Sequence, residues 1–244
     1  MSEAGDRSEA SWPSDSGFRN AAAVCAISFP LAIGSALTGL AAVNFNVAAV
    51  SDPTLLLRAG HRAAGLWRAS LLLDLFGYYL LIVPLTLALR ATFRPRAGTW
   101  SDLYGFCLLA YSLVGAIGAA MLAMATPPMI EAFAGAAPAA RQALTTAYAV
   151  QSDDVYRGLW NLLETLLGGV GWVGFGSLLW SQARRVGALT IALGVSTLTD
   201  SFGEVVNQPW LSQIGLNLYL ALATAWPLVM GIRLLGRRPL AGSA

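Results

Sequence analysis

An all-α, polytopic membrane bundle of six transmembrane helices is the fold class this sequence predicts, and three observations predict it. Of 244 residues, 56% are hydrophobic and 11% charged, too little polar surface to coat a water-soluble globule of that size. Six windows, 21–50, 69–89, 103–130, 160–180, 186–206 and 211–232, are free or nearly free of charge. Each can cross a hydrocarbon core of roughly 30 Å at roughly 1.5 Å per helical residue. The basic residues are all arginines, and they cluster at the flanks of these windows.

The leader "MSEAGDRSEASWPSDSGFRN" is polar and rich in Ser and acids. It lacks a basic n-region followed at once by an apolar core and a cleavage site, so it predicts a disordered tail over 1–20. The membrane domain is then expected over 21–235, with a second short tail over 236–244. Cys25 and Cys107 fall near the cytoplasmic ends of their windows, where two cysteines in a reducing, apolar setting make neither a disulfide framework nor a four-ligand metal site. They read as small packing residues.

The first outer loop, "SDPTLLLRAGHRAAGLWRA", places Leu55, Leu56, Leu57, Leu66 and Trp67 among arginines, the composition of a short interfacial helix. His61 lies in it as a solvated side chain. The second window, "RASLLLDLFGYYLLIVPLTLALR", contains a single internal charge, Asp74. The third holds Gly115 and Gly118, small residues that admit close helix packing. A long outer segment follows, in which "PAARQALTTAYAV" predicts a second interfacial helix that ends before "QSDDVYRG". The fourth window adds Gly168, Gly171, Gly174 and Gly176 around Glu164, a short basic turn carries Arg184 and Arg185, and the fifth holds Asp200 and Glu204. Pro209 is expected to mark the outer end of the fifth helix.

Orientation follows from the arginines. With the N-terminus inside, cytoplasmic segments hold Arg7, Arg19, Arg90, Arg94, Arg96, Arg184, Arg185, Arg233, Arg237 and Arg238, and outer segments hold Arg58, Arg62, Arg68, Arg141 and Arg157. That bias predicts both termini in the cytoplasm and a multi-pass protein of the cell membrane. No basic stripe with interleaved aromatics appears, which excludes a nucleic-acid partner on sequence grounds. The lipid bilayer is the expected partner.

The topology brings three acids to one layer in the outer half of the bundle. Asp74 lies six residues after Arg68, roughly 9 Å below the interface. Glu164 follows Arg157 by seven residues in a helix of the same direction, and Asp200 reaches a similar level from the opposite one. Asp200, Glu204 and Asn207 recur at i, i+4 and i+7, Asn161 and Glu164 at i and i+3, and Asp74 and Tyr78 at i and i+4. Faces of this kind avoid lipid, because an acid near mid-membrane costs roughly 2.5 to 3.5 kcal/mol on the insertion scale. "DLFG" at 74–77 and "DSFG" at 200–203 resemble each other, but inverted halves would put them at mirrored depths rather than both near the outer face.

At "GLWRASLLLDLFGYYLLIVPLTLALR", and then "GLWNLLETLLGGVGWVGFGSLLWSQARRVGALTIALGVSTLTDSFGE", the chain resembles a bacterial family of small six-helix membrane proteins, domain of unknown function family 4386. The shared features are an acid early in helix 2, a Gly-rich helix 4, a short basic turn, and Gly with an acid late in helix 5. Arg184 and Arg185 run into Val186 and Gly187 without the proline that the family's pattern has there. The resemblance implies a fold and a topology but no activity.

Function is therefore read from the acid layer. The chemistry expected of it is acid/base catalysis without a cofactor or metal: a carboxylic acid in a poorly solvated site donates a proton to a lipophilic, isoprenoid-like or lipid-like substrate, and a second carboxylate takes one back. Asp74 or Asp200 is the expected donor, Glu164 the coupled partner, and cyclisation or isomerisation the reaction. Tyr78, Tyr79, Trp160, Trp172 and Phe202, with Phe76, are expected to line an apolar pocket, with Asn161, Glu204 and Asn207 beside the acids and Arg68 and Arg157 at the rim. The alternatives are a proton- or cation-coupled carrier using the same acids, and a non-catalytic accessory protein in which they only join helices. No phosphate loop, dinucleotide fingerprint, zinc-binding HExxH or serine elbow occurs, and without lysine no Schiff base forms.

Overall fold

The computed structural model describes residues 16–46, 49 and 52–235. Most of the leader, the C-terminal tail from 236, and Arg7, Arg237 and Arg238 lie outside the described residues. Among the described residues, six helices are long and apolar enough to cross a membrane: α1 (Gly17–Ala42), α2 (His61–Ala97), α3 (Thr99–Gly135), α4 (Pro138–Trp180), α5 (Arg184–Val205) and α6 (Pro209–Ile232). No strand occurs among the described residues. The all-α six-helix class is thus what the chain adopts.

α2, α3 and α4 outrun their apolar windows, while α1 stops at Ala42, short of the end of the window 21–50. At 37 residues each, α2 and α3 are about 55 Å long, well beyond a hydrocarbon core of about 30 Å. Helical structure begins at Ser16, so the end of the expected tail is already helical. α1 is interrupted at Ile27, three residues before Pro30, a residue that offers no N–H to the turn behind it. The first outer loop carries the expected short helix, Pro53–Leu57, capped by Asp52, whose Oδ1 accepts from the N–H groups of Thr54 and Leu55 at 2.8 and 3.2 Å. The side chain of His61 is 89% exposed, solvated as expected, but the residue starts α2 instead of lying in a loop and stands 3.3 Å from Glu131 of α3. The second outer segment is also shorter than expected, since α3 continues to Gly135 through Pro127 and Pro128. The helix over Pro138–Asp153 forms, but it does not end before the "QSDD" stretch; it runs on into the spanning part of α4.

Two stretches of π-helix interrupt the regular turns, Leu75–Tyr79 in α2 and Asp154–Glu164 in α4. Such wide turns concentrate at functional sites. In α2 the wide turn turns three successive residues, Gly77, Tyr78 and Tyr79, into the interior. In α4 side chains bind carbonyls of the widened region: Ser201 Oγ of α5 donates to the Leu162 carbonyl at 3.1 Å, and Thr165 Oγ1 donates to that of Asn161.

Glycines set the helix spacing. Gly168, Gly171 and Gly174 line one side of α4, against Tyr111, Leu108 and Tyr104 of α3. On another side α4 meets α5 backbone to backbone: a Cβ on Gly194 would lie 2.6 Å from the Val173 nitrogen, and one on Gly187 2.7 Å from Trp180 Cα. This is the packing role that the glycines were expected to have. α1 and α2 are joined by Ser35 and Ser70, each donating its hydroxyl to the other's carbonyl at 2.9 and 2.8 Å. At the far end of α2, Gly98 turns the chain with φ 53° into α3. Arg90 Nε and Nη2 both reach Asp102 Oδ1 at 2.7 Å across that turn.

Two apolar cores result. One, at the Gly98 end and through the middle, contains Phe93, Leu108, Phe175, Trp172 and Trp226; the other, at the opposite end, contains Leu56, Trp67, Leu122, Phe133 and Tyr148. Cys25 and Cys107 are buried, free packing residues, as expected. Trp160 packs against both cores. The acids lie at this junction.

Candidate acid site

Glu164 closes the π-helical stretch of α4 and is 1% exposed. Every polar contact it makes among the described residues is to a tyrosine hydroxyl. Tyr79 Oη of α2 donates at 3.1 Å to both carboxylate oxygens, and Tyr219 Oη of α6 donates to Oε1 at 3.0 Å. Tyr219 Oη lies 2.7 Å from Tyr111 Oη of α3, which lies 2.9 Å from Tyr78 Oη. A phenol has one hydrogen. With Glu164 accepting from Tyr219, Tyr111 must therefore donate to Tyr219, and Tyr78 to Tyr111. The string runs one way, ends on one carboxyl and ties together α2, α3, α4 and α6. A proton placed on Glu164 would let the same string run backwards.

The string is rigidly held. Tyr79 packs its ring into the hollow that Gly115 leaves in α3, and Tyr111 fills that of Gly168. Trp172 meets the Tyr111 ring at 6.0 Å, edge on, and Trp226 at 4.5 Å. Trp226 Nε1 donates to Thr190 Oγ1 at 2.8 Å. Trp172 thus supports the tyrosines from behind and does not line open space. Trp160 is fixed by Nε1 donating to the Gly115 carbonyl at 3.2 Å.

Asp74 sits one residue before the π-helical stretch of α2, on the interior side with Trp67, Leu71 and Tyr78. It is half-buried, and no hydrogen bond or ion pair reaches it among the described residues. It lies within electrostatic reach of Glu164 and of Tyr156. Asp200 is 0% exposed. Ser212 Oγ of α6 donates to its Oδ1 at 2.6 Å, while Oδ2 is buried without a partner. Glu204, one turn on, receives Arg157 through Oε2, at 2.9 Å from Nη2 and 3.0 Å from Nε. Glu164 is within electrostatic reach of Asp200 as well. The three expected acids therefore form two adjoining clusters, Asp74 with Glu164 and Asp200 with Glu204.

Several expected neighbours stand elsewhere. Phe202 and Phe76 are 57% and 60% exposed, on the outward faces of their helices, because the turns that bury Asp200 and Tyr78 aim them away from the bundle. Asn207 does not continue the Asp200 and Glu204 face: α5 ends at Val205, and Asn207 adopts φ 52° in the turn and is exposed. Arg68 is exposed and unpaired, two turns inside a helix that began at His61 instead of at its rim. Asn161 is half-buried, and its carbonyl is what the structure uses. Tyr111, Tyr219 and Ser212, which complete both clusters, lay unmarked in apolar windows. Ser212, Gly215, Tyr219, Ala223 and Trp226 are all buried on one face of α6, and that spacing is the signal that reveals them.

Among the described residues no group of His, Cys, Asp and Glu is placed to hold a metal. An open cleft of ≈ 690 Å³ at the Gly98 turn is lined by Arg90, Arg94, Gly98, Thr99 and Asp102, sixteen residues or about 24 Å along α2 from Asp74. It takes no part in the acid clusters. No family model, curated protein or solved structure matches the chain.

Proposed function

We propose that this integral membrane protein is a cofactor-independent acid/base enzyme that cyclises or isomerises a lipophilic, isoprenoid-like or lipid-like molecule. The observation that carries the reading is the contrast between two neighbouring acids, Asp74 half-buried with no hydrogen bond and Glu164 buried and saturated by hydroxyls. A proton donor must present its O–H to the substrate. Asp200 is enclosed and tied to Ser212, so Asp74 is the acid with a free face. In the reaction, Asp74 gives a proton to a carbon–carbon double bond, the cation rearranges beside the acid, and a neighbouring carbon returns one proton to the carboxylate pair. Atoms and charge balance over the cycle. Glu164 and its hydroxyl string hold the counter-charge in a fixed, water-poor setting.

The test is Asp74→Asn, nearly isosteric and unable to donate an acidic proton. Lipid extracts of a strain carrying it, at matched protein level, are expected to lack a compound that the wild-type chain produces. An unchanged extract removes the catalytic role. The tyrosine string also supports a second reading, a proton-coupled carrier. A pH-sensitive dye in proteoliposomes separates the two, since a carrier moves protons with a solute across the bilayer and an enzyme moves none.

The arginine bias supports an orientation with both termini cytoplasmic and the Arg157 end outside. A membrane-impermeant maleimide on whole cells is then expected to label Arg141→Cys and to spare Arg184→Cys until the membrane is opened; the native cysteines are buried and silent. The acid early in α2, the glycines of α4 and the acid late in α5 likewise support membership of domain of unknown function family 4386.

A further inference from the structure

A second proton site, distinct from the tyrosine string, lies between α5 and α6. Ser212 Oγ is 2.6 Å from Asp200 Oδ1 and 3.0 Å from Glu204 Oε1. Both are hydrogen-bond distances, yet a serine hydroxyl has one hydrogen. If both carboxyls were ionised, one contact would set oxygen lone pairs against each other. The cluster therefore closes only with one added proton. Charge leads to the same count: Arg157 of α4 is the one cation in contact among the described residues, it pairs with Glu204 Oε2, and no cation touches Asp200. Asp200 Oδ2 is buried with no partner at all, an arrangement that is costly for a bare carboxylate. The groups facing the pair are Ser212 on α6 and Arg157 and Glu164 on α4.

We infer that Ser212 is a proton bridge by which Glu204, at the partly exposed rim, exchanges one proton with the enclosed Asp200. The step balances: a proton arriving on Glu204 Oε1 passes to Ser212 Oγ, and the serine's own hydrogen moves to Asp200 Oδ1. Glu204 is left as a carboxylate against Arg157, Asp200 becomes neutral, and no electron changes hands. The geometry favours the step. α5 and α6 are locked together where it occurs, since a Cβ on Gly203 would lie 2.7 Å from Ser212 Cα and one on Gly215 2.7 Å from Asp200 Cα. Resting on the enzyme reading above, the bridge becomes the port through which the acid site exchanges protons with the medium, ending on a carboxyl within electrostatic reach of Glu164.

Infrared spectroscopy of the purified protein in lipid nanodiscs tests this without a substrate. The wild-type chain is expected to show a protonated-carboxyl band that Asp200→Asn removes, and that band shifts when the buffer is changed to D2O. Ser212→Ala is expected to slow the shift roughly a hundredfold, the lower end of what one positioned proton-transfer group contributes. Ser212→Thr, which keeps the hydroxyl, restores it. If the alanine variant does not fold, Glu204→Gln cuts the same route from the rim and must slow the shift equally. A protonated-carboxyl spectrum that Asp200→Asn leaves unchanged, or exchange at the wild-type rate in Ser212→Ala or in Glu204→Gln, overturns the inference. Wild-type exchange in Ser212→Ala together with a lipid extract changed by Asp74→Asn defeats the bridge and leaves the enzyme. The opposite pair of results defeats the enzyme and leaves the bridge.

Discussion

Glu164→Leu is expected to cost about 2–6 kcal/mol, the sum of two buried hydroxyl hydrogens left without an acceptor at about 1–3 kcal/mol each. The Tyr79 hydroxyl loses the acceptor it has among the described residues, and the string of Tyr78, Tyr111 and Tyr219 ends on an unpaired hydrogen whichever way it runs. Glu164→Gln is expected to lose far less, because an amide oxygen in the place of Oε1 still accepts from both Tyr79 and Tyr219. Thermal unfolding in detergent reads the difference directly: a drop of many degrees for Leu and a small one for Gln. Equal drops would mean that the hydroxyls find water or other acceptors, and that Glu164 is not the keystone of the four-helix contact.

The second large effect is expected at Gly215. Its missing side chain lets α6 lie against Asp200, with the Cα of that residue 2.7 Å from where a Cβ would stand and its backbone nitrogen nearer still. Backbone atoms cannot rotate out of the way as a side chain can. Gly215→Val must force α5 and α6 apart, adding overpacking of about 1–3 kcal/mol to loss of the hydrogen bond between Ser212 and Asp200, about 0.5–1.5 kcal/mol. That total is a large part of the 5–15 kcal/mol that holds a typical domain together. The variant is expected to disappear from the membrane fraction. Gly65→Ala is the control: nothing stands within 4 Å of its Cβ position, and its level is expected to match the wild type.

The spans were legible because lipid punishes charge, so each of the six apolar windows marks one of the six helices, although the first window runs on past the end of α1 at Ala42. Helix ends were not, because a window ends where water begins, while backbone hydrogen bonding does not stop there. The segment around Pro127 and Pro128 looked like a loop and is helix, as is the "QSDD" stretch that leads into Glu164. The same overrun displaced Arg68 from the rim, and the early stop of α5 at Val205 took Asn207 off its expected face. Asp74, Glu164 and Asp200 were legible as a group because an acid in an apolar window must turn inward. Their partners were not. A tyrosine in a spanning helix commonly serves the membrane interface, and only the meeting of four helices shows that Tyr111 and Tyr219 donate inward.

The most direct test of the central claim uses isolated membranes incubated in D2O. An acid that protonates carbon must leave solvent deuterium at a C–H position that does not exchange afterwards. Membranes containing the wild-type chain are expected to yield a lipophilic molecule that gains deuterium at carbon, and membranes with Asp74→Asn at equal protein level are expected to yield none. Identical labelling in the two, or no labelling in either, would contradict the assignment of Asp74 as the proton donor of an intramembrane enzyme.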